Sequence, residues 1–179
     1  MIATVFDTET TGLIDNPARK LEKQPEIISF AAQTINLATG EYLYGNGYNT
    51  FIKPHNSISE EITKITGITN EQVKDMPNMY YFIDDILLCL EKSELLIGQN
   101  IRFDMDMVEL ECRRLGKTIK WPKTLDLIQH TIHLKGYRLS LTNLHLELFG
   151  MEFAGAHQAN VDVAITCKCA IELYKRGLL

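Results

Sequence analysis

Ile2-Ala3-Thr4-Val5-Phe6-Asp7-Thr8-Glu9-Thr10-Thr11-Gly12 is the stretch whose reading decides the fold. Its first five residues are an apolar run that reads as a short buried strand. Side chains two apart on a strand share a face, so Asp7 and Glu9 project together from its end. Two anions side by side repel unless a cation lies between them. Hard carboxylate oxygens suit Mg²⁺ or Mn²⁺. Taken alone, Asp-x-Glu is most simply a polar strand end running into a Thr-Gly turn. Acids later in the chain decide between the two readings.

Downstream of this strand, residues 16–24 are polar, carry Arg19, Lys20, Lys23 and Pro17, and read as a loop. Residues 26–36 and 41–53 are strand-like around the Ala38-Thr39-Gly40 turn, a hairpin that continues a meander begun by the first strand. The pattern then changes to helix. Ser59 caps a short helix ending near Gly67, and Thr69-Asn70-Glu71 begins another turn. Residues 79–92 carry helical apolar spacing, 95–97 form a compact apolar strand, and 102–115 a helix stopped at Gly116. Residues 125–134, 140–149 and 158–175 read as three further helices. The layout implies a mixed sheet covered by helices, an α/β architecture in a single domain spanning 1–179.

Composition narrows the class. With 45% hydrophobic and 23% charged residues in 179, the chain is long enough for one substantial core. No apolar stretch approaches membrane-spanning length, and the N-terminus lacks a basic signal-peptide start, so a cytoplasmic protein is expected. Cys89, Cys112, Cys167 and Cys169 show no zinc spacing and read as buried free thiols. The net charge of −5 argues against a broad basic grip on nucleic acid. It leaves open an enzyme whose metal ions meet the phosphate.

Three more positions matter. Asn100-Ile101-Arg102-Phe103-Asp104 follows the 95–97 strand and places Asp104 in the first turn of the next helix, where the helix dipole favours an acid. Near the C-terminus, His157-Gln158-Ala159-Asn160-Val161-Asp162 sets a histidine five residues before an aspartate. On one continuous helix these two would diverge by about 140°. They converge only if Asp162 is helical and His157 lies in the preceding loop, which Gly155-Ala156 makes flexible. Alone, His157 is an ordinary loop histidine.

Together the motifs become specific. Asp7-x-Glu9-Thr10-Thr11-Gly12, Asn100-x-x-Phe103-Asp104 and His157-x-Ala159-x-x-Asp162 resemble, in order, the three motifs of the DEDDh 3′-to-5′ exonucleases. This family includes the proofreading epsilon subunit of bacterial DNA polymerase III, ribonuclease T and oligoribonuclease. The similarity runs from residue 2 to about 175, with Ile65-Thr66-Gly67-Ile68 and Thr124-Leu125-Asp126 matching secondary segments. Gln99, where many members have His, and Gln158, where Arg is frequent, depart from the pattern without touching a ligand or the base.

The resemblance implies a ribonuclease H-like fold with a five-stranded mixed sheet, its first three strands antiparallel. It implies two divalent ions, Mg²⁺ or Mn²⁺, with Asp7 bridging both, Glu9 and Asp162 on the first, and Asp104 on the second. Two such ions stabilise the attacking and leaving oxygens of an in-line displacement. His157 would be the general base, a task suited to a side chain that ordinarily titrates near about 6.5. Thr10, Thr11, Gly12, Ile65 and Phe103 match positions that embrace the 3′-terminal nucleotide, and Asn100 lies near the second; for Ile65 and Phe103, core packing is an equal reading. The substrate is a nucleic acid with a free 3′ end, DNA first and RNA as the alternative, with a polymerase as candidate partner and nucleoside 5′-monophosphates as products. The ending at Leu179 leaves little room for a tether and weighs against a polymerase-bound role. A non-catalytic binding module is the third reading, disfavoured by the complete acid set.

Other groupings read blandly. Asp126, His130 and His133 have metal-like helical spacing but are taken as an exposed polar face. Leu141, Leu144 and Leu148 are core spacing, Trp121-Pro122 a packed loop, and Glu109, Glu111, Arg113 and Arg114 a solvated helix face.

Overall fold

The computed structural model describes residues 1–14 and 20–179. Five strands, β1 (Ile2–Thr10), β2 (Ile27–Asn36), β3 (Glu41–Phe51), β4 (Leu95–Gly98) and β5 (Lys123–Asp126), form one sheet in the order β3-β2-β1-β4-β5. The first three pair antiparallel, while β4 runs parallel to both β1 and β5. This is the mixed five-stranded sheet that the resemblance implied.

β1 is the centre of the sheet because both its faces are apolar. Ala3 and Val5 point into a core formed with α7 (Leu141–Phe149) and α8 (Ala159–Lys175). Phe6 points the other way, into a core formed with α3 (Met79–Glu91) and α4 (Ile101–Arg114). Alternation along a strand therefore assigns each β1 side chain to one helical layer. A smaller cluster under α1 (Glu60–Thr66) and α2 (Asn70–Val73) gathers Ile28, Ile58, Ile68 and Val73.

Most boundaries follow local chemistry. Ser140 accepts the Asn143 N–H to cap α7, and Gly150 closes it in the left-handed conformation. Thr69 and Gln72 form a reciprocal capping box at α2. The β2–β3 pairing slips between Ala32 and Thr34. The slip brings Gly47 so near β2 that a Cβ there would lie 2.4 Å from the Ala32 carbonyl oxygen.

Three expectations need correction. The helix read over 125–134 begins as strand β5 and continues as two single turns, α5 (Leu127–His130) and α6 (Ile132–Lys135). Two of β5's four residues are exposed, so its apolar signal is weak. The Thr131 hydroxyl donates back to the Leu127 carbonyl where the helix breaks. Of the loop read over 16–24, residues 16–19 lie outside the described residues, and Leu21–Lys23 form one 3-10 turn. Finally, Glu111 and Arg114 are not solvated. Arg114 pairs with Glu111 at 2.7 Å and donates to the carbonyls of Leu21, Gln24 and Pro25. Glu111 also accepts the Ile27 N–H at 3.1 Å. The ion pair thus pins the chain entering β2 onto α4. Among the described residues, no helix is long and apolar enough to cross a membrane.

Candidate active site

The C-terminal end of β1 is where the two helical layers meet around carboxylates. Asp7 and Glu9 extend the row of Ala3 and Val5 and so face the α8 side. From α8, Asp162 meets them: each of the three offers a carboxylate oxygen within 4.8 Å of the others. Asp104 arrives from α4 on the opposite side. Its Oδ1 accepts the Thr8 hydroxyl at 2.6 Å and the Thr8 N–H at 2.9 Å. Strand alternation thus sends Asp7 and Glu9 to one partner and Thr8 to the other. Thr8 was not singled out from sequence, although its place between the two acids carried the signal.

The electrostatics of this cluster are adverse. Burial, and then the charges of Asp104, Glu9 and Asp162, hold the Asp7 carboxyl well above the usual range. Burial with the charges of Asp162 and Asp104 pushes Glu9 up to about 7. Burial also lifts Asp104 to about 7, against the opposing pull of the two Thr8 hydrogen bonds. Asp162 is raised by burial and eased downward by the N–H and charge of His157. Its Oδ1 is buried with no hydrogen-bond partner. An all-oxygen donor set whose members repel one another, with one buried oxygen left unpaired, fits a hard divalent cation. Among the described residues no other trio of acids, histidines or cysteines is so grouped.

His157 lies outside α8, as convergence requires. It is exposed, has φ +66°, and donates its backbone N–H to Asp162 Oδ2 at 3.1 Å. The chain turns into it through Gly155, at φ +85°.

The residues expected to embrace a nucleotide are spread around this centre. The Thr10 hydroxyl donates to the Gly12 carbonyl, and Thr11 exchanges two hydrogen bonds with Glu26, so the turn is rigidly held. It borders an open groove of about 380 Å³ also lined by Leu13, Lys23, Asn56 and Ser57. Ile65 is 50% exposed on α1, which removes the core reading for it. Phe103 is half-buried and packs on the α3–α4 core. Asn100 stands at the head of α4 with φ +64°, its N–H given to Asp126 Oδ1 and its Oδ1 facing Arg138 Nη2 at 3.5 Å.

Asp126 also caps α5, and His130 bonds the Leu178 carbonyl, so these two members of the Asp126, His130, His133 trio have structural partners. Gln99 donates to the Leu139 carbonyl, and Gln158 heads α8 without capping it. Trp121 packs on Phe6 and donates to Glu109, the packed loop expected of it.

Comparison with known proteins gives the same placement. Residues 4–170 match the RNase_T exonuclease family. The chain is 30% identical over 178 residues to a PolC-type DNA polymerase III of Caldanaerobacter subterraneus subsp. tengcongensis, covering 96% of this chain and 11% of that protein. It is 29% identical to the PolC-type polymerase of Clostridium perfringens, covering 92% and 10%. The chain therefore spans about a tenth of the length of these curated relatives. Among solved structures it resembles the zinc-bound E. coli ExoI–ssDNA complex (TM-score 0.80, 20% identity, 98% of this chain and 41% of that one). It also resembles the nuclease domain of 3′hExo, a DEDDh family member bound to rAMP (TM-score 0.78, 19% identity, 98% and 92%). Divalent-metal dependence goes with this family, and the acidic cluster for it is present. With the family match spanning nearly its whole length, the chain belongs to the RNase_T exonuclease family.

Proposed function

We propose that this chain acts as one exonuclease domain over 1–179. It removes nucleotides from the 3′ end of DNA, preferably single-stranded or frayed, and releases nucleoside 5′-monophosphates. The observation that carries this reading is the convergence of Asp7, Glu9 and Asp162, with Asp104 held beside them by Thr8 and His157 tied to Asp162. Similarity to PolC-type polymerases supports DNA over RNA and a polymerase as working partner.

Asp7, Glu9 and Asp162 would hold one divalent ion, and Asp7 with Asp104 a second, Mg²⁺ or Mn²⁺. When bound, such ions supply charge stabilisation for the attacking and leaving oxygens of an in-line displacement. His157 is the general base: exposed beside the acids, its imidazole accepts a proton from the attacking water and passes it to solvent. Asp162 orients it by accepting the His157 N–H, which fixes the backbone from which the ring projects. Thr10, Thr11 and Gly12 present the turn against which the terminal sugar and base lie, with Ile65 and Phe103 as apolar walls and Asn100 toward the next nucleotide. Arg138, whose guanidinium neighbours Asn100, meets the phosphates behind it.

The test is digestion of 5′-labelled single-stranded DNA, matched duplex, 3′-mismatched duplex and RNA with Mn²⁺ or Mg²⁺. Ladders shortening from the 3′ end, fastest on unpaired DNA and abolished by EDTA, are expected. His157→Ala should lower turnover about 10²-fold while DNA binding persists. Faster digestion of RNA would replace the DNA reading by an exoribonuclease one, and no product on any substrate would leave a binding module.

A further inference from the structure

The loop that carries His157 is anchored from beneath by a second histidine, one that no motif assigns. His145, on the inner face of α7, is 7% exposed. Its Nδ1 lies 2.8 Å from the Met151 carbonyl oxygen. A carbonyl only accepts, so Nδ1 carries the proton and donates. The ring packs against Phe149, with centroids 4.7 Å apart, and against Phe153 at 5.5 Å. Phe153 itself belongs to the loop and packs on the α7–α8 core.

Below this anchor the chain is tied to the fold. Above it, Ala154, Gly155 and Ala156 are small residues, and Gly155 at φ +85° rests near Val161 of α8. The next fixed point is the His157 N–H on Asp162. His157 thus ends a three-residue span held at both ends, one by Asp162 and the other by the Met151 and Phe153 contacts to His145. An exposed ring on a glycine-containing loop samples many positions, and general-base catalysis needs one.

We propose that His145 is a positioning residue for His157, narrowing the range from which its imidazole reaches the attacking water. The inference rests on the general-base role proposed above. A merely structural role would lower stability without discriminating among catalytic steps, whereas a positioning role acts only through His157.

The experiment is a double-mutant cycle on single-stranded DNA with Mn²⁺. His145→Phe keeps the aromatic packing but removes the donor to Met151. His145→Asn offers its amide near the place of Nδ1 but loses the ring. His145→Phe is expected to lower kcat about tenfold with KM unchanged, and His145→Asn to restore part of that loss. In a His157→Ala background, His145→Phe should cost less than twofold. Limited proteolysis within residues 151–157 should rise in His145→Phe at a temperature where the fold is intact.

An equal loss in both backgrounds, or a change in KM alone, would overturn the proposal. So would unchanged kcat with unchanged proteolysis. If both His145 variants fail to fold, cleavage of the wild-type loop as readily as of the chain termini would refute the anchoring. Unaltered turnover in His157→Ala alone would instead defeat the general-base reading, and so separates the two failures.

Discussion

Stripped of divalent cations, this protein should gain stability as pH falls from 8 to 5.5, the reverse of ordinary acid destabilisation. Glu9 and Asp104 are both lifted to about 7 in the folded state. In the unfolded chain such groups titrate near about 4. Below that pH both states hold their protons and the groups do not affect folding. Between about 4 and 7 the unfolded chain has released protons that the folded chain keeps, so stability falls as pH rises. Above 7 both states are ionised and the full penalty applies. Lowering pH from 8 to 5.5 recovers the portion between 7 and 5.5, about 2 kcal/mol for either group at about 1.4 kcal/mol per pH unit. For a chain of this length that is about 4–8 °C in Tm. The acids share one repulsion, so the two contributions do not add in full.

The assay is thermal unfolding by circular dichroism in EDTA at several pH values, repeated with Asp104→Asn and Glu9→Gln. Each variant removes one titrating group and should flatten the rise, while the histidines, common to all three proteins, cancel. Mn²⁺ should raise Tm more at pH 8 than at 5.5, because protons compete for the same oxygens. If wild type and both variants respond alike to acidification, or if Mn²⁺ stabilises no better at pH 8, the claim that these acids are held together against their own repulsion is wrong.

Two further substitutions test the scaffold around the site. Thr8→Val deletes the hydroxyl that donates to Asp104 at 2.6 Å and so raises the Asp104 pKa further. The acidic limb of the pH–rate profile should move to higher pH, and stability at pH 8 should drop by about 1–3 kcal/mol, read by urea unfolding. Arg114→Met leaves Glu111 buried without its cation and removes the guanidinium hydrogen bonds to the Leu21, Gln24 and Pro25 carbonyls. A loss of about 3–5 kcal/mol is expected in the same unfolding assay, and adding Glu111→Gln should recover part of it.

The central features of the site were legible because they are local. Alternation on β1 places Asp7 and Glu9 on one face, and the geometry of a helix start explains why His157 must precede α8. The order of strands and helices followed from periodicity wherever an element buries one clean face, as α3 and α7 do. What stayed hidden depends on long-range contact. β5 shows little of its own pattern because none of its four residues is fully buried, and it is fixed as a strand by pairing with β4. Glu111 and Arg114 look like surface charges until the segment before β2 folds over them. Thr8 is unremarkable until α4 delivers Asp104 to it from 96 residues away. Ile65 could be placed on α1 from sequence, but its exposure depends on what packs around that helix.

The division of β1 between two helical layers has a consequence for the cell that makes such an enzyme. Asp7 and Glu9 are translated before Asp104, and Asp104 before His157 and before Asp162 of α8. A chain still emerging from the ribosome holds two of the acids but neither the helix that closes the cluster nor the proposed base. The growing polypeptide is therefore expected to pass beside messenger and ribosomal RNA unable to cut either, its chemistry withheld until α8 docks.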